Sequence, residues 1–469
     1  MTNWVPDLTG SGPLYQRLAD AIEADIDRGV IGAGAKLPPQ RDLAYDISAT
    51  VGTVGRAYQL LRERGLVSGE VGRGTYVLGE NIGVTKPEEP DTSVEGTRYA
   101  DAPKDKLRFD STAAPDIGQG AIVADVLSRA AQDHPHEISS YTRDFPDRWY
   151  EAGARWLSRN AFRPAVDTIV PTLGTHAAVM AAIAALTTPG DYVAFEHLTY
   201  SQISRSAGLI GRRTALVASD DEGLDPADFE RVCAQKHPKM IFLMPTAQNP
   251  TLVTLSSARR EAIARVAREY NVILIEDDLY GHLTDDPTPL LAEFAPERTI
   301  IAGGLSKSVA AGLRGGWLSC PPAYRHRIRV AHKMMTGGMP FLLAEVNSRL
   351  VLSGQASEIR RRSIAEISAR MAIVRERLTG FSFKSHDKVP FVWLTLPDPW
   401  LSGTFKNACL EHGVLIDDED EFKAGRSERV FHGVRFGVSQ PRRREDIAGG
   451  VAVIRRLLDE GRAGYDSFS

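Results

Sequence analysis

The chain has 469 residues, 43% hydrophobic and 25% charged, the proportions of a soluble globular protein of two to four domains. A formal net charge of −4 gives no overall attraction to nucleic acid or to an anionic membrane. Three scattered cysteines, Cys233, Cys320 and Cys409, lack metal-ligand spacing and suit buried thiols in a reducing cytoplasm; the first residues lack the pattern of a signal peptide, and the longest apolar run, "AAVMAAIAAL" after His176, is too short to span a bilayer.

The chain opens with a helical pattern in "GPLYQRLADAIEADIDRG", where Leu14, Leu18, Ile22 and Ile26 recur at i,i+4 and Gly29 marks the stop. A short helix in "PPQRDLAYDIS" places Leu43 and Ile47 on one face. A third, in "SATVGTVGRAYQLLRERG", has Val51, Val54, Tyr58 and Leu61 as its expected buried stripe and Gly65 as its stop. "LVSGEVGRGTYVL" then reads as two strands around a Gly-Arg-Gly tip. Three short helices and a hairpin form a winged helix-turn-helix of the α+β class, assigned to residues 1–79. Residues 1–78 hold eight Lys or Arg against nine Asp or Glu. The acids crowd the first helix (Asp20, Glu23, Asp25 and Asp27), whereas residues 36–76 carry six bases against four acids. Arg41, Arg56 and Arg73 can therefore gather on a groove-facing surface, where guanidinium groups contact phosphates or guanine edges. The alternative for this module is a small helical protein-interaction domain.

Residues 80–106, "ENIGVTKPEEPDTSVEGTRYADAPKDK", are rich in proline and charge and lack an apolar period, as a linker does. From 107 to 469 one theme repeats: a short β-branched run ends in a polar or glycine-rich turn, and a helix follows. "DTIVPT", "DYVAFE", "KMIFLMP", "NVILIE" and "TIIAG" are such runs, so an α/β body with a mostly parallel sheet is expected. The large lobe is placed at about 135–340 and a small C-terminal α/β lobe at about 345–469.

In such sheets ligands bind beyond the carboxyl ends of the strands. The residues that converge there are Gly174, Thr175, His176, Tyr200, Asn249, Asp277, Tyr280, Ser306, Lys307 and Arg314. Gly174, Thr175 and His176 open a helix whose free amides suit a phosphate. Ser306 and the guanidinium fork of Arg314 serve the same anion. Tyr200 offers a flat face, Asn249 a donor for a ring oxygen, Asp277 a carboxylate for a protonated ring nitrogen and Lys307 an amine for an aldehyde. Together these describe pyridoxal 5′-phosphate, with Lys307 as its Schiff-base partner. Taken singly, each residue also has a plain structural role as a cap, a turn residue or a core side chain; their order on successive strand ends points to the cofactor. No residues are spaced as metal ligands.

The stretch "KLPPQRDLAYDISATVGTVGRAYQLLRERGLVSGEVGRGTYV" resembles the DNA-binding head of the GntR regulators, which implies DNA contacts by Arg41, Thr53, Arg56, Arg73 and Gly74. Residues 108–455 resemble fold-type I aminotransferases. That resemblance implies that Asn249 and Tyr280 meet the cofactor's phenolic oxygen, that Asp277 meets the pyridine nitrogen, and that Tyr200 stacks on the ring. It also implies that Ser306 and Arg314 hold the phosphate and that Arg435, in "VRFGVSQ", grips an α-carboxylate. Gly304 departs from the family, which often has Ser or Thr there. The two halves together resemble the MocR/GabR regulators: transcription factors acting on promoter DNA as domain-swapped homodimers, the aminotransferase-like body sensing an amino acid or amine through external aldimine formation. The alternatives are a working aminotransferase with an appended DNA-binding head and a body that serves only as a dimerisation scaffold.

Overall fold

The computed structural model describes residue 4 and residues 6–9, 12–32, 35–64, 66–70, 74–77, 105–427 and 429–468. The chain divides into two units, Met1–Thr92 and Ser93–Ser469. In the first, helices α1 (Leu14–Asp27), α2 (Gln40–Asp46) and α3 (Val51–Glu63) precede an antiparallel hairpin of β1 (Val67–Glu70) and β2 (Gly74–Val77). Helix α1 buries Leu18, Ala19 and Ile22. It ends where Gly29 takes φ +71°, a conformation that costs glycine little, and donates its amide to the Ile26 carbonyl at 2.9 Å. Thr50 caps α3, its hydroxyl accepting the Thr53 amide at 3.2 Å.

The buried face of α3 is Val54, Ala57, Tyr58 and Leu61. Val51, expected on that stripe, is 45% exposed. It occupies the first turn, beyond the part of α3 that α1 and α2 cover. The Tyr58 hydroxyl donates to the Pro38 carbonyl at 2.8 Å, and at the opposite end Arg64 pairs with Asp20 at 2.7 Å and with Glu23. The chain before α2 joins the hairpin as well, Leu37 donating to Thr75 at 2.8 Å and Val77 to Ala35 at 2.9 Å. Gly65 and the hairpin tip, including Arg73, lie outside the described residues.

In the second unit one sheet holds β3 (Ile169–Thr172), β4 (Tyr192–Glu196), β5 (Arg213–Val217), β6 (Met240–Leu243), β7 (Ile273–Asp277), β8 (Thr299–Gly304) and β9 (Gly316–Ser319), in the order β3-β9-β8-β7-β6-β4-β5. The five strands from β8 to β5 are parallel, and β9 runs antiparallel to both neighbours. Helices α4 (Asp147–Leu157), α5 (Gly174–Leu186), α6 (Ser257–Glu269) and α7 (Pro322–Thr336) belong to this lobe. Helix α5 packs against both the sheet and α7, which accounts for its nearly uniform apolar sequence. Helix α4 approaches closely at Gly153, where a Cβ would lie 2.4 Å from Trp317 and 2.6 Å from Ile169.

The small lobe contains helix α8 (Gln355–Arg377), strands β10 (Phe383–Ser385) and β11 (Phe391–Thr395), helix α9 (Ser402–Glu411), strands β12 (Asp417–Asp418) and β13 (Gly433–Gly437), and helix α10 (Arg444–Asp466), broken at Gly461. Its antiparallel sheet has the order β10-β11-β13-β12. Residues 107–108, far away in sequence, pair in parallel with 414–415, so the start of the body is stitched to this lobe. Among the described residues no helix is long and apolar enough to cross a membrane.

Candidate functional site

The carboxyl ends of β3, β6, β7 and β8 open onto a cavity of about 200 Å³. Gly174, Thr175, His176, Tyr200, Asn249, Asp277, Tyr280, Ser306, Lys307 and Arg314 all line it, and so does Arg435 from β13. The strand-end reasoning thus places ten residues of the large lobe on one surface, with the small lobe supplying an eleventh.

At one end, Gly174 (φ +80°) and Arg314 (φ +49°) both adopt left-handed backbone. A Cβ on Gly174 would lie 3.6 Å from the Arg314 carbonyl and 3.8 Å from its guanidinium, so helix α5 begins against this arginine. Thr175 buries a hydroxyl that has no hydrogen-bond partner, a costly state without a ligand. An unpartnered hydroxyl at a helix start, beside a guanidinium and Ser306, fits a phosphate group. Gly304 leaves no space for the Ser or Thr often found there: its Cβ would lie 2.6 Å from the Gly315 carbonyl and 3.1 Å from Thr175 Oγ1.

Deeper in, Lys307 Nζ donates to Thr112 Oγ1 at 3.0 Å, and that oxygen lies 2.8 Å from the Tyr280 hydroxyl. The ammonium also sits 5.9 Å from the centre of the Tyr280 ring. Asp277 is buried, with one oxygen accepting the Leu279 amide at 3.1 Å. Burial pushes its carboxyl up to about 7, against the opposing pull of that amide and of Lys307. The Tyr280 hydroxyl is pushed up to about 12, again chiefly by burial. His176 is held below the ordinary imidazole range by burial and by Arg314, so it faces the cavity uncharged near neutrality. Its ring meets Tyr200 edge-on at 6.1 Å. A buried carboxylate, a phenol, a lysine and an anion cradle lining one cavity suit the ring nitrogen, phenolic oxygen, aldehyde and phosphate of pyridoxal phosphate.

Arg435 enters from the small lobe. The β12–β13 register sets Asp417 directly opposite it, so their side chains share a face and Asp417 Oδ2 accepts from Arg435 Nη2. The same nitrogen donates to the Asp110 carbonyl at 3.1 Å, while Nη1 donates to Asn249 Oδ1 at 2.9 Å. Phe422 lies 4.6 Å from the guanidinium. Its Nε is buried without a partner, one donor left for a carboxylate. The segment around Phe422 is hydrogen-bonded to the large lobe, Thr199 donating to the Phe422 carbonyl at 2.8 Å and Ala424 to that of His197 at 3.1 Å.

Thr112, Asp110 and Asp417 were not legible as site residues. Thr112 and Asp110 belong to a stretch without strand or helix period, and Asp417 sits in the acidic run "IDDEDE", which reads as a solvated face. Only the cross-strand register brings it to Arg435.

In the first unit, Arg41 lies in the first turn of α2 and Arg56 lies on α3, both exposed. Thr53 is partly engaged locally, its hydroxyl 2.9 Å from that of Thr50. Gly74 begins β2; Arg73 lies outside the described residues. Arg64 is drawn into the ion pairs with α1 and serves the fold.

Residues 105–423 match the family model for aminotransferase class I and II, and residues 14–77 the model for bacterial regulatory proteins, gntR family. The uncharacterized HTH-type transcriptional regulator YdeF of Bacillus subtilis is 28% identical over 462 residues, covering 98% of this chain and 97% of that protein. The vitamin B6 salvage pathway transcriptional repressor PtsJ of Salmonella typhimurium is 28% identical, covering 68% of this chain and 70% of the repressor. Among solved structures, an archaeal alanine:glyoxylate aminotransferase superposes with a TM-score of 0.68 at 22% identity, over 76% of this chain and 91% of the enzyme. The α-aminoadipate aminotransferase LysN of Thermus thermophilus has the same TM-score and identity, over 78% of this chain and 94% of the enzyme.

Proposed function

Because this chain belongs to the aminotransferase class I and II family and begins with a gntR-family head, we propose that it is a pyridoxal phosphate-dependent transcriptional regulator. In this reading it binds promoter DNA through Arg41, Thr53, Arg56, Arg73 and Gly74 and senses an amino acid or amine in the body. The observation that carries the sensing role is that Lys307 and Arg435, from different lobes, line one cavity. Full-length similarity to proteins named as regulators supports the same conclusion.

When bound, the cofactor supplies an aldehyde that exchanges amines and a ring that withdraws electrons. Lys307 would hold that aldehyde, and Thr112 and Tyr280 fix the direction of its amine. Asp277 would anchor the ring nitrogen and Tyr200 would cover the ring. Asn249 and Tyr280 would meet the phenolic oxygen, and Gly174, Thr175, His176, Ser306 and Arg314 would hold the phosphate. Arg435, with its unpartnered Nε, would receive the carboxylate of an amino compound bound beside Lys307. That contact favours the state in which the small lobe is drawn in, shifting the equilibrium by the difference in contact energy between the two states. The protein acts in the cytoplasm as a domain-swapped homodimer whose two heads read two half-sites, so that an inward movement of one lobe alters the spacing of the heads.

Absorbance titration of the holo-protein with a panel of amino compounds, run in parallel with DNA-binding measurements, tests this. A lasting spectral change that also alters DNA affinity supports a sensor. Rapid turnover to the amine form of the cofactor and a keto acid would instead make the body a working aminotransferase. A colourless protein would leave the body as a dimerisation scaffold.

A further inference from the structure

Asp277 lies within three successive acidic residues, Glu276, Asp277 and Asp278. Side chains alternate along an extended strand. Asp277 lines the cavity, whereas Glu276 and Asp278 do not. They meet a separate buried group. Arg159, in the turn after α4, forks onto Asp278, with Nε to Oδ2 at 2.8 Å and Nη2 to Oδ1 at 3.0 Å. The same Nη2 donates to Thr246 Oγ1 at 3.1 Å, and Arg260 of α6 donates to that oxygen at 2.9 Å. Arg260 in turn lies 3.7 Å from Glu276. Arg159 is 9% exposed and Asp278 1%. Asp278 is packed so tightly that a Cβ on Gly281 would lie 1.9 Å from its Oδ1. None of these residues touches the cavity.

We propose that Arg159 is a positioning residue for the cofactor: by forking onto Asp278 it cancels a buried negative charge one residue from Asp277 and fixes the end of β7, which favours the ionised form of Asp277 and holds its carboxylate in place. The inference rests on the reading of the cavity as a pyridoxal phosphate site. Asp278 is one of the groups that push the Asp277 carboxyl up, after burial, and burial pushes Asp278 up while Arg159 pulls it down. Without Arg159, two adjacent buried carboxyls compete for a proton. Whenever the proton sits on Asp277, the protonated pyridine nitrogen loses its counter-ion.

The charge account predicts opposite signs for the two halves of the pair. Equilibrium dialysis of pyridoxal phosphate against cofactor-free protein near neutral pH reads them. Arg159→Met is expected to bind the cofactor about tenfold more weakly, because a proton shared with Asp278 leaves the pyridine nitrogen without its counter-ion. Asp278→Asn removes the competing carboxylate and leaves a cation nearby, so it is expected to bind at least as tightly as the unaltered protein. The double variant is expected to recover most of the loss caused by Arg159→Met. If Arg159→Met fails to fold, the comparison of Asp278→Asn with the unaltered protein still decides the sign. Weakening by Asp278→Asn, no effect of Arg159→Met, or a double variant no better than Arg159→Met would each overturn the proposal. If the unaltered protein itself fails to retain the cofactor, the reading of the cavity falls and this inference with it; if it retains the cofactor and only the variants disobey, the inference alone falls.

Discussion

Arg435 donates from Nη1 to Asn249 Oδ1 across 2.9 Å, tying β13 of the small lobe to the loop after β6 of the large lobe. Its other terminal nitrogen is held by Asp417 and by the Asp110 carbonyl. The guanidinium is thus held by partners from both lobes.

Arg435→Lys keeps a charge opposite Asp417 but loses the planar fork. Carboxylate-bearing effectors should bind about tenfold or more weakly, as expected for a hydrogen bond to a charged group of about 1.5–3 kcal/mol. Amines without a carboxylate should be unaffected, and cofactor retention should be unchanged. Absorbance titration with matched pairs of amino acids and decarboxylated amines checks this. Arg435→Met instead removes the buried guanidinium that Asp417 faces, and a lower denaturant midpoint is expected.

The raised Asp277 carboxyl has a consequence for the cofactor-free protein. Its proton is held more tightly in the folded state, about 7, than at the ordinary value of 3.8. The unfolded chain therefore binds fewer protons between these values, and stability falls as pH rises. This contribution is fully present below about pH 4 and is lost through about pH 7. Asp277→Asn removes that part of the slope. Denaturant midpoints of the apo-protein and the variant should converge in acid, with the variant gaining ground towards neutrality.

At Gly304 a methyl group would lie 2.6 Å from a backbone carbonyl, which cannot swing away as a long side chain can. Gly304→Ala should cost about 1–3 kcal/mol by overpacking and disturb Thr175, the next nearest atom at 3.1 Å. A lower denaturant midpoint together with weaker retention of pyridoxal phosphate in dialysis is the expected result.

On the DNA-binding head, exposed Arg41 and Arg56 differ from Arg64, which is bound to Asp20 and Glu23. Arg41→Ala and Arg56→Ala should each weaken binding to duplex DNA and reduce the salt slope by about 1. Arg64→Ala should leave the slope unchanged, because its charge is already spent on α1. Fluorescence anisotropy at a series of salt concentrations separates the two classes.

The cavity was legible because parallel strands announce themselves as β-branched runs and deliver their next residues to one edge of the sheet. That logic reached Thr175, Asn249, Asp277 and Lys307. It missed β5, "RTALV", and the antiparallel β9, "GWLS", which are short and lack a distinctive run. It also missed Thr112, which meets Lys307 and Tyr280 from far away in sequence, and Asp417, which the cross-strand register sets opposite Arg435. Val51 shows the complementary error: the helical period was right, but the helix outruns the core that α1 and α2 provide.

The central claim is that the amine of Lys307 carries the cofactor. Borohydride reduction of the holo-protein followed by peptide mass mapping tests it most directly. The phosphopyridoxyl mass should be found on the peptide containing Lys307 and should vanish in Lys307→Ala. A label on another lysine, or none in a protein shown to be folded, would contradict the account.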